Sequence, residues 1–167
     1  MSLIQIVADD CERQSPLIAA LKINVGVKAV VRRLPLGDYL LDERLLFERK
    51  TLRDFAASLK DGRLFEQGVR LAASPLHKAI ILEGGIRDLA DSGIRREALQ
   101  GALINLALFL GIPILRAADA EESARLMLYA ARQFERIRRQ TLPTCSMASA
   151  PRVNAKPSCG YCNRSLA

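Results

Sequence analysis

Six short apolar runs constrain the fold of this 167-residue chain more than any other feature. Each run ends at a turn residue or a charged residue, and runs of this length bounded in this way are typical of buried β-strands. They are Leu3 to Ala8, Val27 to Leu34, Tyr39 to Leu41, Leu45 to Lys50, Lys78 to Glu83 and Ile112 to Leu115. The polar group Asp42-Glu43-Arg44 predicts a turn, so the third and fourth runs should form a hairpin.

Segments with helical signals lie between these runs and after the last of them. They are Ser15 to Leu21, Leu52 to Lys60, Arg63 to Ala73, Arg95 to Leu110, and a last helix from Asp119 to about Arg139. Ser15 before a proline, Thr51, and Asp119 with Glu122 are typical helix N-caps. Strands followed by an alternation of strands and helices predict a mixed α/β sheet with helices on its faces.

The composition changes at Thr141, after which Pro, Ser, Ala and Cys dominate without periodicity. We therefore expect a folded domain over residues 1–140 and a basic, cysteine-containing, disordered tail over residues 141–167. Of the net charge of +7, six charges fall in residues 132–167, which hold 7 Lys/Arg against 1 Asp/Glu. Such a cluster favours nucleic acid as a partner, although a solvated tail without any partner fits the charge equally well.

Neither a membrane anchor nor a secretion signal is expected. The longest apolar stretch, Ala102 to Ile114, is broken by Asn105, Gly111 and Pro113 and is too short to span a bilayer. The N-terminus has no basic residues before its apolar run. The sequence thus predicts a cytoplasmic protein without membrane contact.

The cysteines give little support for a zinc site. Cys159 and Cys162 have the spacing of half a zinc ribbon, and Cys145 could be a third ligand. A tetrahedral zinc ion needs four ligands, and the single histidine, His77, lies far away in the sequence. We expect no zinc there, and a reduced, loose tail instead.

Charged residues at the ends of the hairpin strands form the candidate reaction centre. Residues i and i+2 of a strand point to the same side, so Glu48 and Lys50 should share one face and Arg49 the other. If the hairpin pairs, Asp38 arrives beside Glu48, and Asp9 can join them from the end of the first run. Carboxylates that hold a divalent cation, with a lysine nearby, are what metal-dependent phosphodiester hydrolysis requires. The alternative is a surface hairpin with ordinary charges.

The flanking sequence makes this pattern specific. The segments Gly37-Asp38-Tyr39, then Phe47-Glu48-Arg49-Lys50 with Asp54, then Asp61-Gly62-Arg63-Leu64-Phe65-Glu66-Gln67 resemble the nuclease domain of the XPF family of structure-specific endonucleases, which includes the archaeal Hef nuclease. The resemblance covers about residues 3–138. It implies a restriction-endonuclease-like mixed sheet, dependence on Mg²⁺ or possible use of Mn²⁺, a role in DNA repair, and cleavage of branched or flapped DNA.

The resemblance also implies roles for individual residues. Asp38 and Glu48 would be metal ligands, joined by Asp9, and Lys50 would orient water or stabilise charge on the phosphate. Three further residues would support the site and two would lie along the DNA. The supporting residues are Glu12, Arg49 and Asp54, and the DNA-contacting residues are Arg63 and Gln67.

Two departures from the family pattern have consequences. Cys11 stands where the family has an arginine, and a neutral thiol cannot make guanidinium contacts. The tandem helix-hairpin-helix domain that usually follows is not in this sequence, so a separate DNA-binding partner is expected. The family also implies a homodimer or heterodimer through the late helices. The alternative function is a catalytically weak or inactive subunit that only binds DNA or dimerises.

Overall fold

A computed structural model describes residues 3–90 and 92–140 of the chain. Its centre is one six-stranded sheet with the order β2-β1-β3-β4-β5-β6. The strands are β1 (Ile4–Ala8), β2 (Val27–Val31), β3 (Tyr39–Leu41), β4 (Leu45–Thr51), β5 (His77–Glu83) and β6 (Ile114–Ala117). The helices are α1 (Pro16–Lys22), α2 (Leu52–Lys60), α3 (Arg63–Ala72), α4 (Arg96–Ile104) and α5 (Ala120–Gln140). Short 3₁₀ turns occupy Asp10–Glu12 and Ile86–Leu89, and a π-helical turn, Asn105–Phe109, continues α4.

The sheet is mixed, as the sequence predicted. Strand β1 runs parallel to β2 and antiparallel to β3, and β3 runs antiparallel to β4. The remaining neighbours, β4 with β5 and β5 with β6, are parallel. The predicted hairpin is confirmed, because Tyr39 lies opposite Phe47 and Leu41 opposite Leu45.

A two-residue turn sets the register of this hairpin. Asp42 and Glu43 have φ values of 48° and 56°, the left-handed conformation that matches the twist of paired strands. The Arg44 amide donates to the Leu41 carbonyl at 3.0 Å. The Asp42 side chain accepts from the amide of Gln5 at 2.8 Å, so the turn is also fastened to β1.

Alternation along the strands produces two hydrophobic cores, one on each face of the sheet. Phe47 packs in the core that α1 and α5 cover, together with Ile6, Leu17 and Met127. The preceding residue, Leu46, packs in the core under α2, α3 and α4. Because successive side chains point to opposite faces, β4 contributes to both cores and carries its last residues to both sides.

The predicted helix starts are confirmed. Ser15 caps α1 by accepting from the amide of Leu17 at 3.2 Å, and Thr51 caps α2 by accepting from the amide of Asp54 at 3.1 Å. Asp119 accepts from the amide of Glu122 at 2.8 Å at the start of α5. Each contact satisfies a backbone donor that would otherwise lack a partner in the first helical turn.

Three predicted elements differ from the structure. The second strand ends at Val31 rather than at Leu34. The helix predicted as continuous from Arg95 to Leu110 changes to π-helical geometry after Ile104. The last strand begins at Ile114 rather than at Ile112, whose side chain is fully buried after the left-handed Gly111. Within residues 3–90 and 92–140, no helix is long and apolar enough to cross a membrane. The tail and its three cysteines lie outside the described residues, and the cytoplasmic location stays a prediction.

Candidate active site

The backbone holds Asp38 in place at the start of β3. Its amide donates to the Phe47 carbonyl at 2.9 Å, and its carbonyl accepts from the Asp9 amide at 2.8 Å. The residue before it must be glycine, since Gly37 has a φ of 70° and a Cβ there would lie 2.7 Å from Leu46 Cδ1. The Gly-Asp pair thus fixes the Asp38 side chain between the ends of β1 and β4.

The carboxylates of Asp38 and Glu48 come together as predicted. Asp38 Oδ2 accepts from the Arg49 amide at 2.7 Å. Burial, together with the negative charge of Glu48, raises the pKa of Asp38 to about 7. Burial also raises the pKa of Glu48. Both shifts have a common cause, which is negative charge held away from water with too little positive charge beside it.

Lys50 lies on the same side of β4 as Glu48, as the strand alternation predicted. Its Nζ lies 4.0 Å from Glu48 Oε1 and 3.4 Å from Ser58 Oγ on α2. The side chain is almost completely buried, so its ammonium is held in one place by these contacts.

Arg49 points to the opposite face and joins a different group of residues. Its guanidinium donates to both carboxylate oxygens of Glu83, at 2.8 Å and 2.7 Å, and lies 3.6 Å from Glu12. Glu12 accepts from the Tyr39 hydroxyl at 2.5 Å, and Glu83 accepts from the Ser123 hydroxyl at 2.9 Å. We call these five residues the Arg49 network. It links β3, β4, β5 and α5 to the segment that follows β1.

A cavity of about 460 Å³ opens beside the two carboxylates. We call it the site cavity, and its polar lining residues are Asp9, Asp10, Cys11, Arg33, Asp38, Glu48, Gln67 and Arg70. Gln67 Oε1 is buried there without a hydrogen-bond partner in the described part of the chain. A buried acceptor of this kind is costly unless a ligand or water donates to it.

Asp9 reaches the site cavity but is already engaged by the backbone. Its Oδ2 accepts from the Leu34 amide at 2.7 Å and its Oδ1 from the Cys11 amide at 3.0 Å. Both hydrogen bonds lower the pKa of Asp9, and the one from the Leu34 amide has the larger effect. Asp9 therefore carries negative charge beside the two candidate ligands and also ties two loops together. The Cys11 side chain is exposed, and its hydrogen bond to Asp9 raises the pKa of the thiol.

Five residues predicted for the site do not line the cavity: Glu12, Arg49, Lys50, Asp54 and Arg63. The first three make the contacts described above, whereas Asp54 and Arg63 lie at the protein surface. Asp54 is exposed at the start of α2 and accepts from the Thr51 hydroxyl at 2.7 Å. Arg63 pairs with Asp61 at 2.5 Å, and both side chains are mostly exposed. Their predicted roles therefore have no support from the cavity geometry.

The two carboxylates of the site have the ligand chemistry that a hard divalent cation prefers. Across the described residues, no group of three or more His, Cys, Asp or Glu side chains is arranged to hold a metal ion. However, Mg²⁺ is usually bound by one or two carboxylates, with water and substrate phosphate completing its octahedron. Asp38 and Glu48, with raised pKa values, could supply two such carboxylates, whose mutual repulsion a cation would relieve.

Sequence reasoning missed three residues that the structure brings to this region. Arg70 lines the site cavity three residues after Gln67, and helical spacing from Gln67 could have indicated it. Arg33 also lines the cavity, and Glu83 holds Arg49. No local signal marks these two, because both depend on pairing with distant strands.

Comparison with known proteins agrees with this arrangement. Residues 8–130 match the ERCC4 domain, which is most of the chain. The chain belongs to the ERCC4 domain family. This confirms the resemblance to XPF-family nuclease domains.

Several curated proteins share the ERCC4 region. A Methanocaldococcus jannaschii protein named as an ATP-dependent RNA helicase is 35% identical over 127 residues, which cover 75% of this chain and 15% of that protein. The 3′-flap repair endonuclease Xpf of Saccharolobus solfataricus is 27% identical, over 80% of this chain and 57% of its own length. The structure-specific endonuclease subunit MUS81 of Danio rerio is 32% identical, over 75% of this chain and 19% of its own. The chain thus spans from about a seventh to just over half of these relatives.

The fold is also similar to a solved structure. XPF from Aeropyrum pernix, in complex with DNA, superposes with a TM-score of 0.71 at 36% sequence identity, covering 80% of this chain and 66% of that one. The predicted restriction-endonuclease-like sheet with flanking helices is therefore confirmed.

Proposed function

We propose that this ERCC4 domain is a divalent-metal-dependent endonuclease that hydrolyses phosphodiester bonds in branched or flapped DNA. The observation that carries the proposal is the pair of mostly buried, mutually repelling carboxylates, Asp38 and Glu48, beside the held ammonium of Lys50. The similarity to a 3′-flap endonuclease and to an XPF solved in complex with DNA supports the substrate class.

The metal would be held by Asp38 and Glu48, with the negative charge of Asp9 nearby in the site cavity. Mg²⁺ is the proposed ion and Mn²⁺ a possible substitute. When bound, such an ion polarises the phosphoryl oxygen and lowers the pKa of its water.

The protein's own groups have distinct tasks in this proposal. Lys50, fixed between Glu48 and Ser58, places a positive charge where negative charge develops on the phosphate. The amide of Arg49 keeps Asp38 in its rotamer by donating to Oδ2. Gln67 offers an unpaired acceptor to a donor on the substrate or on bound water. The Arg49 network supports the strand ends and does not contact DNA.

The test is cleavage of labelled flap and splayed-arm DNA, with Mg²⁺ and with EDTA. The parent should cut only with the metal. Asp38→Asn and Glu48→Gln should each lower the rate about 10³-fold or more, because they remove several kcal/mol of charge stabilisation. Glu121→Gln is the matched control, since Glu121 is exposed on α5 and pairs only loosely with Arg125.

The outcomes separate the proposal from its rival. If the two site variants cut as fast as Glu121→Gln, the assigned centre is wrong. If the parent binds these DNAs but never cuts them, the chain is instead a non-catalytic DNA-binding subunit.

We also infer that a second copy of the chain covers the surface formed by α4 and the π turn. Ile104, Leu108 and Phe109 are 49%, 75% and 77% exposed there. Ile104 and Leu108 line an apolar cavity of about 530 Å³ together with Leu99 and Leu103. Exposed apolar surfaces of this kind mark association sites, and the zebrafish relative is named as a subunit. A different partner chain, in a heterodimer, is the alternative.

A further inference from the structure

The site cavity contains two arginines that stand apart from the ion pairs of the molecule. Arg49, Arg63 and Arg138 all pair with carboxylates. Arg33 and Arg70 line the site cavity, and neither makes an ion pair with any residue that the structure describes. Two guanidinium groups therefore share a cavity with Asp38 and Glu48 without forming an ion pair with either carboxylate.

The position of Arg33 is fixed from both sides. The amide of Arg32 donates to the Ala8 carbonyl at 3.0 Å, and the amide of Leu34 donates to Asp9 Oδ2 at 2.7 Å. Pro35 then restricts the next backbone step. The main chain at Arg33 is thus anchored to the end of β1, while its side chain remains exposed. This arrangement limits the entropy lost when the guanidinium binds a ligand.

Arg70 approaches the same cavity from a different element. It lies on α3, three residues after Gln67, which carries the unpaired Oε1. The charge of Arg70 is close enough to lower the pKa of Glu48. Two separate elements, the segment after β2 and helix α3, therefore each bring one free guanidinium to the cavity.

A DNA backbone cannot approach Asp9, Asp10, Asp38 and Glu48 without repulsion, so positive groups must lie where its phosphates enter. A guanidinium suits that purpose, because its planar donors can bind two phosphate oxygens at once. Cys11 lines the same cavity but carries no positive charge. Arg33 lies near Cys11, and its positive charge opposes the rise in the pKa of the Cys11 thiol.

We infer that Arg33 and Arg70 bind backbone phosphates of the DNA that flank the scissile bond, and so position the strand over Asp38 and Glu48. This inference rests on the proposed nuclease function and names the phosphate-binding residues of that site. Both arginines are positioning residues and take no part in proton transfer.

The first experiment compares Arg33→Gln and Arg70→Gln with Arg32→Gln in the full chain. Arg32 is exposed and adjacent to Arg33 but does not line the cavity, so its variant removes the same charge. Binding to a flap duplex is measured in EDTA at several salt concentrations. Each cavity variant should raise Kd about tenfold beyond the effect of Arg32→Gln. Each should also lower the slope of log K against log salt by about 1.

The second experiment locates the contact. Single methylphosphonates, which are neutral, replace phosphates one at a time around the cleavage site. At one position the substitution should weaken binding by the parent and by Arg32→Gln about tenfold, yet leave Arg33→Gln unchanged. If Arg33 had only a structural role, Arg33→Gln would bind all DNAs more weakly and would still lose affinity when that phosphate is replaced. The same scan with Arg70→Gln should pick out a different phosphate.

The results distinguish this inference from the proposed function. If the parent cuts DNA but Arg33→Gln and Arg70→Gln behave as Arg32→Gln does, phosphate binding by the two arginines is wrong and the nuclease function stands. If the parent binds without cutting but the phosphate-specific loss appears, phosphate binding by the arginines stands and the catalytic proposal falls. If no DNA is bound at all, both are wrong.

Discussion

The tripeptide Glu48-Arg49-Lys50 of β4 places its side chains on two faces of the sheet, and these faces have different surroundings. On one face, Glu48 lines the site cavity with Lys50 Nζ 4.0 Å from its carboxylate, and burial raises the pKa of Glu48. On the other face, Arg49 is paired with both oxygens of Glu83 and approached by Glu12. On the first face, the negative charges of Asp38 and Glu48 have too few positive neighbours. On the second face, the positive charge of Arg49 is paired with carboxylates.

This difference indicates which residues act on a ligand and which hold the framework. Unsatisfied charge is unfavourable in the free protein, and metal and DNA would relieve it. A paired network gains nothing from a ligand, but it is costly to break. Substitutions on the two faces should therefore change stability in opposite directions.

The largest expected effect is on the paired face. Arg49→Met leaves the mostly buried carboxylates of Glu83 and Glu12 without their cation, and should lower the free energy of unfolding by about 3–5 kcal/mol. Urea unfolding at pH 7.5 measures it. Arg125→Met, which removes only an exposed pair at 3.8 Å, should change stability by about 0.5 kcal/mol or less. Equal losses in the two variants would show that the Arg49 network is not structural.

The next effect has the opposite sign. Asp38→Asn keeps an acceptor for the Arg49 amide but removes the buried charge, and should raise the free energy of unfolding by about 1–3 kcal/mol at pH 8. The folded carboxyl releases its proton at about pH 7 and the unfolded one near 3.8. Between these values the folded state binds more protons, so stability from this group falls as pH rises.

Thermal unfolding in EDTA at pH 4 and pH 8 checks this sign. The gain from Asp38→Asn should be mostly lost at pH 4, where the folded carboxyl is protonated and the unfolded one is only partly ionised, and should reach its full size above pH 7. Added Mg²⁺ should stabilise the parent and leave the variant unchanged. A variant that is less stable than the parent at pH 8 would contradict the account of the cavity face.

The smallest expected effect on monomer stability is at the surface formed by α4 and the π turn, on the same side of the sheet as Glu48. Leu108→Glu should change the stability of the monomer by about 0.5 kcal/mol or less, because Leu108 is 75% exposed. It should nevertheless convert a dimer to a monomer in sedimentation equilibrium. Val25→Glu, at a residue 98% exposed near β2, is the control and should leave the dimer intact. A parent that is monomeric at all concentrations would remove the basis for this interface.

Local patterns in the sequence predicted much of this structure. Thr51 and Ser15 act through contacts two or three residues away, so the starts of α1 and α2 could be predicted. The pairing of Tyr39 with Phe47 follows from a short turn and strand alternation. The joint position of Asp38, Glu48 and Lys50 followed from that hairpin alone.

The remainder depends on contacts between distant segments. Arg33 reaches the site cavity because β2 pairs with β1, and Glu83 meets Arg49 because β5 pairs with β4. The change to π-helical geometry after Ile104 keeps Leu106 fully buried while Leu108 stays exposed, which the apolar composition of the segment could not distinguish. Asp54 is a different case: its motif position implies a supporting role at the site, which stays a prediction, and its side chain lies at the helix cap of Thr51.

The turn at Asp42 and Glu43 has a consequence for how this chain can vary. It fixes whether odd- or even-numbered residues of β4 face the cavity, because Leu41 must lie opposite Leu45. A slip of β4 by a single residue would send Glu48 and Lys50 into the layer of α1 and α5, and would bring Arg49 to the cavity. The register of this one hairpin therefore decides whether β4 places the Glu48 carboxylate beside Asp38 at the cavity or places the Arg49 guanidinium there.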